Sequence, residues 1–434
     1  LVKALENEGV EVIFGYPGGA SMEIHQGLTL TKKIRMVLPR HEQGGAFAAG
    51  GYARATGDVG VCLATSGPGA TNLITGIIDA KMDSIPIVAI TGQVASTLLG
   101  SDAFQETDIM GATFPLVKHS YMIQNVAEIP EVIHNAFHIA RTGRPGPVLV
   151  DIPKNIQQQE GIADFNVTFD CPSYRPNLKP SVLQCKKAAH AIQTAKRPII
   201  YAGGGIVCSG ASQELRALVK KTGIPVTTTA MGLGIFPSND PLSLRMLGMH
   251  GAVYANIAIN HADLVIAMGV RFDDRVTGKL AEFCKNAQFI QIDIDPTEIN
   301  KNITVDIPIQ GDVKQALKIL HGYVEPKKDI KPWIKQVQDW KKEFPLEFEL
   351  KKGEIVPESV VSDINKLASK DAIFSVGVGQ HQMWSAQFLD FDQPNNWLCS
   401  SGLGAMGYGL PAAMGAQVAF PNRQVINIEG DGSF

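Results

Sequence analysis

Residues 59–72 read Val-Gly-Val-Cys-Leu-Ala-Thr-Ser-Gly-Pro-Gly-Ala-Thr-Asn, an apolar run that ends in a glycine-punctuated turn and gives way to a helical stretch rich in isoleucine and alanine. A run apolar at successive positions fits a strand with both faces covered, as in a parallel sheet. Parallel strands need a crossover, and the helical stretch before the next apolar run at Ile85 supplies one. The same rhythm predicts strands over Val10–Phe14, Ile34–Leu38, Val59–Ala64, Ile85–Ile90 and Val148–Asp151, behind an amphipathic helix from Leu1 to Gly9. Alternation of this kind specifies an α/β fold, with parallel sheets flanked by helices.

Outward from this region the rhythm stops and restarts twice. Between Gln157 and Pro180 a polar stretch containing Cys171-Pro-Ser-Tyr-Arg-Pro reads as a linker. A second series runs through Pro198-Ile-Ile-Tyr-Ala, Leu264-Val-Ile-Ala-Met and Phe289-Ile-Gln-Ile-Asp to about His321. Residues Glu325 to Gly353, rich in lysine and glutamate, form a second connector containing a helix, and a third series opens at Ala372-Ile-Phe-Ser-Val. The expected domains are therefore 1–157, 180–322 and 354–434. Three agrees with a length of 434 residues at about 150 residues per domain. The first and third series echo each other, with Ser66-Gly-Pro-Gly answered by Ser401-Gly-Leu-Gly, so two domains are expected to share a topology. The last strand, Val425 to Ile428, is followed only by the loop Glu429-Gly-Asp-Gly-Ser and Phe434, which reads as a third domain truncated at its C-terminus.

Composition narrows the function. Lys plus Arg is 39 and Asp plus Glu 42, a net charge of −3 with no charge block, which argues against a nucleic-acid partner. No apolar run is long enough for a membrane helix. The six cysteines contain no C-x-x-C pair and suggest neither a zinc site nor a disulfide framework.

Four loops carry candidate chemistry. Gly430-Asp431-Gly432-Ser433 places a carboxylate at the end of a strand, where it is either a partial magnesium–diphosphate site or an ordinary Asp-Gly turn. Arg40-His41-Glu42-Gln43-Gly44 opens a helix of small residues that must lie against another backbone; Glu42 is expected to be buried there and to exchange a proton with a ligand nitrogen, or else simply to favour the helix dipole. Gly203-Gly204-Gly205 follows a strand, yet Cys208 stands where a dinucleotide fingerprint needs its third glycine, leaving a phosphate turn or a plain turn. Gly377-Val-Gly-Gln-His-Gln-Met-Trp, again past a strand, either offers Gln380 and His381 as neutral donors to a phosphate or serves packing alone. His134 and His138, one helical turn apart among Ile133, Phe137 and Ile139, read as packing rather than metal ligands.

Taken together, these segments resemble thiamine-diphosphate-dependent enzymes, and within them the catalytic subunits of acetolactate synthase. The resemblance runs end to end, through Phe14-Gly-Tyr-Pro-Gly-Gly, Arg40-His-Glu-Gln-Gly, Gly51-Tyr-Ala-Arg-Ala-Thr-Gly, Thr65-Ser-Gly-Pro-Gly-Ala-Thr-Asn, Asp102-Ala-Phe-Gln-Glu, Gly143-Arg-Pro-Gly-Pro-Val, Leu247-Gly-Met-His-Gly, Arg271-Phe-Asp-Asp-Arg-Val-Thr-Gly, Gly379-Gln-His-Gln-Met-Trp and Gly430-Asp-Gly-Ser. It implies a pyrimidine-binding domain, a central FAD-binding domain and a diphosphate-binding domain. It also implies the activity: decarboxylation of pyruvate and condensation of the two-carbon unit with pyruvate or 2-oxobutyrate, in branched-chain amino-acid biosynthesis.

By the same resemblance, Glu42 is the catalytic residue, bonded to the aminopyrimidine ring. Tyr16, Pro17, Gly18, Gly404 and Met406 hold that end of the cofactor, and Val378, Gly379, Gln380, His381, Gly432 and Ser433 its diphosphate, with Asp431 a ligand of Mg²⁺. Phe104, Gln105 and Lys154 lie near the substrate channel, and Arg144, Gly203, Gly204, His250, Gly269, Arg271, Asp273, Arg275, Asp293 and Asp312 contact FAD. Expected partners are further copies of the chain, in a homodimer or homotetramer, and a regulatory small subunit, in a bacterial cytoplasm or, after removal of a leader, an organelle. The family's second magnesium ligand, an asparagine, falls past Phe434. The competing readings are an FAD-dependent pyruvate oxidase and a non-catalytic partner subunit; Leu247–Gly251 and Arg271–Gly278 favour the synthase over the oxidase.

Overall fold

The computed structural model describes residues 1–350 and 353–434, so the last part of the Glu325–Gly353 connector, residues 351–352, lies outside the described residues. The chain forms two compact units. One comprises residues 1–175, 373–378 and 398–434, and the other residues 176–372 and 379–397.

The first unit holds two parallel sheets. Strands β1 (Val12–Gly15), β2 (Arg35–Val37), β3 (Gly60–Ala64), β4 (Ile87–Gln93), β5 (His119–Met122) and β6 (Val148–Pro153) form a six-stranded sheet in the order β2-β1-β3-β4-β6-β5. Its centre is what the apolar runs predict: β3, β4 and β6 are buried at every position. The runs do not disclose β5, whose sequence His-Ser-Tyr-Met is half-exposed at the sheet edge. The connector after Gln157 has no helix or strand before Val182, yet it is docked: Phe169 stacks on His138 with ring centroids 3.9 Å apart, and the Tyr174 hydroxyl donates to the Thr142 carbonyl at 2.6 Å.

The second sheet of this unit belongs to the third series. Taking β13 (Ile373–Val376), β14 (Trp397–Cys399) and β15 (Val425–Ile428), its order is β14-β13-β15. In order of appearance this is 2-1-3, as for β2-β1-β3, so the shared topology expected from the glycine loops is present. The pairing of the loops is corrected, however. Ser66-Gly-Pro-Gly follows the third strand of its set and Ser401-Gly-Leu-Gly the second of its own. The equivalent of the Ser66 loop is Gly430-Asp-Gly, and the equivalent of the helix Glu42–Thr56 is the helix Gly409–Ala419. Glycine-rich turns follow several strands in each set, and spacing alone matched the wrong pair.

Those two helices explain the small-residue composition. The helix Glu42–Thr56 starts at His41, whose ring accepts from the Gln43 amide at 3.1 Å, and ends at Gly57 with φ +83°. Its glycines cost the isolated helix about 1 kcal/mol each relative to alanine. Packing offsets this by close approach on three sides. A β-carbon on Gly60 of β3 would stand 2.1 Å from the Ala49 carbonyl oxygen, one on Gly76 2.3 Å from the Ala46 β-carbon, and one on Gly51 2.3 Å from the Ala412 carbonyl oxygen.

The second unit is built on one parallel sheet of β7 (Pro198–Ala202), β8 (Val226–Thr228), β9 (Ser243–Met246), β10 (Leu264–Met268), β11 (Gln288–Asp293) and β12 (Ile307–Gln310). Its order, β9-β8-β7-β10-β11-β12, is 3-2-1-4-5-6 in order of appearance, that of doubly wound dinucleotide-binding sheets. β7 and β10 are the fully buried centre, and the polar or short strands β8, β9 and β12 are the ones the apolar runs do not disclose. Among the described residues none of the six cysteines forms a disulfide.

Candidate active site and cofactor cradles

In open parallel sheets, ligands bind beyond the carboxyl ends of the strands, where the winding reverses. In the first sheet this point lies between β1 and β3, since the chain goes from β1 outward to β2 and then returns to the other side. The loop after β1 carries Tyr16, Pro17 and Gly18, and the loop after β3 carries Ser66 to Gly69. The two are in contact: the Ala20 amide donates to Thr65 Oγ1 at 3.1 Å, and a β-carbon on Gly18 would stand 2.4 Å from the Thr65 methyl group.

Glu42 opens its helix at this same edge. It is half-buried and not buried as the sequence suggests, because the first turn projects past the ends of the strands. One of its oxygens, Oε2, accepts from Asn72 Nδ2 at 3.0 Å. The other, Oε1, faces Gly69, where a β-carbon would come within 3.3 Å. The carboxylate is thus oriented from one side and left open on the other. Sequence alone gives Asn72 no role; its placement just after the short helix Pro68–Thr71, opposite the Glu42 carboxylate, marks it.

Of the substrate-channel candidates, Phe104 is almost fully exposed, and Gln105, with φ +59°, packs its backbone on Gly67, whose φ is +60°. Lys154 opens the short helix after β6. Arg144 donates from Nε to the Ser84 hydroxyl at 2.9 Å in this same unit.

In the second sheet of the unit, the loops after β13, β14 and β15 converge. Gly404, at φ +71°, has Val378 as its neighbour, with 4.0 Å between the Val378 methyl and a β-carbon built on the glycine. Met406, exposed, reaches Gly432, where a β-carbon would stand 2.7 Å from its methyl group. Asp431 is exposed and its carboxylate accepts from the Gly432 amide at 2.9 Å. Beside it, the Ser433 hydroxyl and Asn427 Oδ1 are buried without hydrogen-bond partners, a polar lining that lacks its complement. Among the described residues no group of three or more His, Cys, Asp or Glu side chains is placed to hold a metal ion. Gly379, Gln380 and His381 belong to the second unit, where Gln380 opens the helix Gln380–Phe388.

The reversal point of the central sheet lies between β7 and β10. Gly203 and Gly205 after β7 meet Gly269 after β10 so closely that a β-carbon on Gly269, at φ +60°, would stand 2.5 Å from the Gly205 α-carbon. Thr228 and Thr229, at the end of the neighbouring β8, have buried hydroxyls without partners. Arg271 and Asp273 follow Gly269, and Asp273 caps a short helix by accepting from the Arg275 amide at 3.0 Å. Asp293 ends β11, and Asp312 caps the helix Val313–Tyr323, accepting from Gln315 at 2.9 Å. The His250 carbonyl accepts from Gln387 at 2.8 Å.

Comparison with known proteins agrees with this geometry. Three families match in chain order: the thiamine pyrophosphate enzyme N-terminal TPP binding domain over residues 1–112, the central domain over 185–320 and the C-terminal TPP binding domain over 377–434. The whole chain is 53% identical to Acetolactate synthase 3, chloroplastic, of Brassica napus, covering 67% of that protein. It is 52% identical to Acetolactate synthase, chloroplastic, of Arabidopsis thaliana, covering 66%, and 53% identical to Acetolactate synthase 1, chloroplastic, of Oryza sativa subsp. japonica, covering 68%. The chain thus spans about two thirds of the length of these relatives. Aligned along all of its length with such relatives, and carrying the three thiamine pyrophosphate enzyme domains in order, the chain belongs to the acetolactate synthase family of thiamine-diphosphate enzymes.

Proposed function

We propose that this chain performs the acetolactate synthase reaction, joining a two-carbon unit from pyruvate to a second 2-oxo acid, pyruvate or 2-oxobutyrate. The observation that carries the reading is Glu42, set at the reversal point of the first sheet with one oxygen held by Asn72 and the other open. Thiamine diphosphate, when bound, supplies the nucleophilic carbon and the electron sink for decarboxylation.

What the chain supplies is orientation and a proton. The open oxygen of Glu42 is the atom at which a proton is held for, and exchanged with, the aminopyrimidine ring; Tyr16, Pro17 and Gly18 wall the same mouth. Gly404 and Met406 support the ring from the third domain, and Val378, Gly379, Gln380 and His381 present donors to the diphosphate. The buried, unpartnered Ser433 hydroxyl and Asn427 oxygen suit a polar ligand, and Asp431 is a hard oxygen donor for Mg²⁺. The central sheet has the winding, the close glycine contact and the unpartnered threonine hydroxyls that suit FAD, held by Gly203, Gly204, His250, Gly269, Arg271, Asp273, Arg275, Asp293, Asp312 and Arg144. Phe104, Gln105 and Lys154 face substrate. We place domain limits at 1–157, 180–322 and 354–434, an active unit of at least two copies, and a regulatory small subunit beside it. The relatives' names place them in chloroplasts, which favours an organelle over a bacterial cytoplasm.

The test is product analysis of the full natural protein supplied with pyruvate, thiamine diphosphate, Mg²⁺ and FAD. Acetolactate formed without oxygen uptake supports the reading. Oxygen uptake with acetate or acetyl phosphate as product assigns the chain to oxidase chemistry.

A further inference from the structure

The helix Ile74–Asp83 is apolar over most of its length but carries two carboxylates one turn apart, Asp79 and Asp83, both buried. Buried carboxylates are costly unless hydrogen-bonded or paired. Here their partners lie on one short loop, the residues that follow β14. Asp83 accepts from two consecutive amides, Ser401 at 2.8 Å and Gly402 at 2.7 Å, one to each oxygen. The Ser400 hydroxyl donates to Asp79 and accepts from the Ala405 amide at 2.8 Å, which closes the loop on itself. Arg54 lies alongside, donating to the Cys399 carbonyl and, at 3.3 Å, to the Tyr408 hydroxyl, with its guanidinium 4.0 Å from Asp83.

Two adjacent amides bound by one carboxylate fix both the position and the direction of the chain, and hydrogen bonds to an ionised acceptor are stronger than neutral ones. Two residues beyond this clamp is Gly404, at φ +71°, and two further is Met406. We propose that Asp79 and Asp83 are positioning residues, which set the Ser400–Met406 loop so that Gly404 and Met406 meet the cofactor. The inference rests on reading those two residues as thiamine diphosphate contacts. Neither carboxylate touches the cofactor; both act through the backbone of the loop. Burial, with Asp83 adding to it, pushes Asp79 up to about 7 against the pull of Ser400 and Arg54, as expected for a carboxyl enclosed at a packed contact and not open to solvent.

The test titrates thiamine diphosphate, in the presence of Mg²⁺, into the full natural protein and its Asp83→Asn variant, following circular dichroism, with flavin content and unfolding temperature measured alongside. The amide keeps the shape but accepts from only one of the two N–H groups. Binding about tenfold weaker, in a variant that is still folded at the assay temperature and keeps its flavin, supports the positioning role. Unchanged affinity in the folded variant overturns it. Where Asp83→Asn does not fold, Ser400→Ala and Ser400→Thr decide: the threonine retains the hydroxyl and should bind as the natural protein does, and the alanine should not, while equal binding by both overturns the proposal. If the natural protein binds thiamine diphosphate but makes no acetolactate, the proposed reaction fails and the clamp is still judged on affinity. If it binds none, the reading of Gly404 and Met406 fails and the clamp with it.

Discussion

Gly51 of the Glu42 helix lies against Ala412 of the Gly409 helix, backbone to backbone, with only 2.3 Å between a β-carbon on the glycine and the Ala412 carbonyl oxygen. The relationship is reciprocal: a β-carbon on Gly415 would stand 2.0 Å from the carbonyl oxygen of Ala48. In each helix an alanine and a glycine three residues apart make the contact, so equivalent helices of two like-wound sheets meet through equivalent positions.

From this contact follows an opposed pair of substitutions. Alanine in place of a helical glycine gains about 0.5–1 kcal/mol of propensity, and at Gly50, where a β-carbon meets nothing within 4 Å, that gain should appear as a higher unfolding temperature. At Gly51 the clash is with backbone, and overpacking that costs about 1–3 kcal/mol outweighs the gain. Thermal unfolding of Gly50→Ala and Gly51→Ala should therefore shift in opposite directions; shifts of the same sign would mean that the helices move apart freely.

Asn72 is expected to matter through Glu42. Asn72→Ala removes the 3.0 Å bond that fixes one carboxylate oxygen and should lower carboligation about tenfold, the equivalent of a hydrogen bond to a charged group, with little change in unfolding temperature. Steady-state rates on pyruvate check this, and an unchanged kcat would show that the carboxylate is held by something else.

The central cradle admits a sharp test at Gly269, which combines φ +60° with a 2.5 Å approach to Gly205. Gly269→Ala must displace the turn after β10 from the one after β7. Purified variant protein should lose its visible flavin absorbance, while thiamine diphosphate binding, which belongs to other loops, is retained.

Asp151 gives a pH dependence of stability. It is fully buried, accepts from Thr91 Oγ1 at 2.7 Å and Gln93 Nε2 at 3.0 Å, and burial pushes it up to about 7 against those two bonds. The folded state thus keeps a proton that the unfolded chain releases near the ordinary value of 3.8. Its contribution is fully present below that value and is lost as pH rises through about 7. Asp151→Asn mimics the protonated form, its amide donating to Thr91 and its oxygen accepting from Gln93. The stability of the variant relative to the natural protein should rise by a few kcal/mol between about pH 4 and about pH 8, as measured by denaturant unfolding; a constant difference would contradict the assignment.

Much of this was legible in the sequence because buried parallel strands are apolar at every position, and the loops that follow them carry the glycines. β3, β4, β7 and β10 announce themselves in that way. Edge strands do not: β5 is polar and half-exposed, and β12 contains Pro308. Glu42 was legible from its place at a helix start, but its exposure was not, since a small-residue helix signals close packing along its length and says nothing of its first turn. Asn72, Asp79 and Asp83 act through contacts with residues distant in the chain, Asp79 reaching Ser400 across more than three hundred positions. No local pattern encodes such a pairing, although two carboxylates one turn apart on an apolar helix are a sign that partners exist.

The central claim is most directly tested by measuring acetolactate formed from pyruvate by the natural protein and by Glu42→Gln side by side, with thiamine diphosphate, Mg²⁺ and FAD supplied to both. Acetolactate from the natural protein, falling by about 10²-fold or more in the variant while both retain flavin and the same unfolding temperature, is the predicted result. Full carboligation by Glu42→Gln, or no acetolactate from a natural protein that binds its cofactors, would contradict the account.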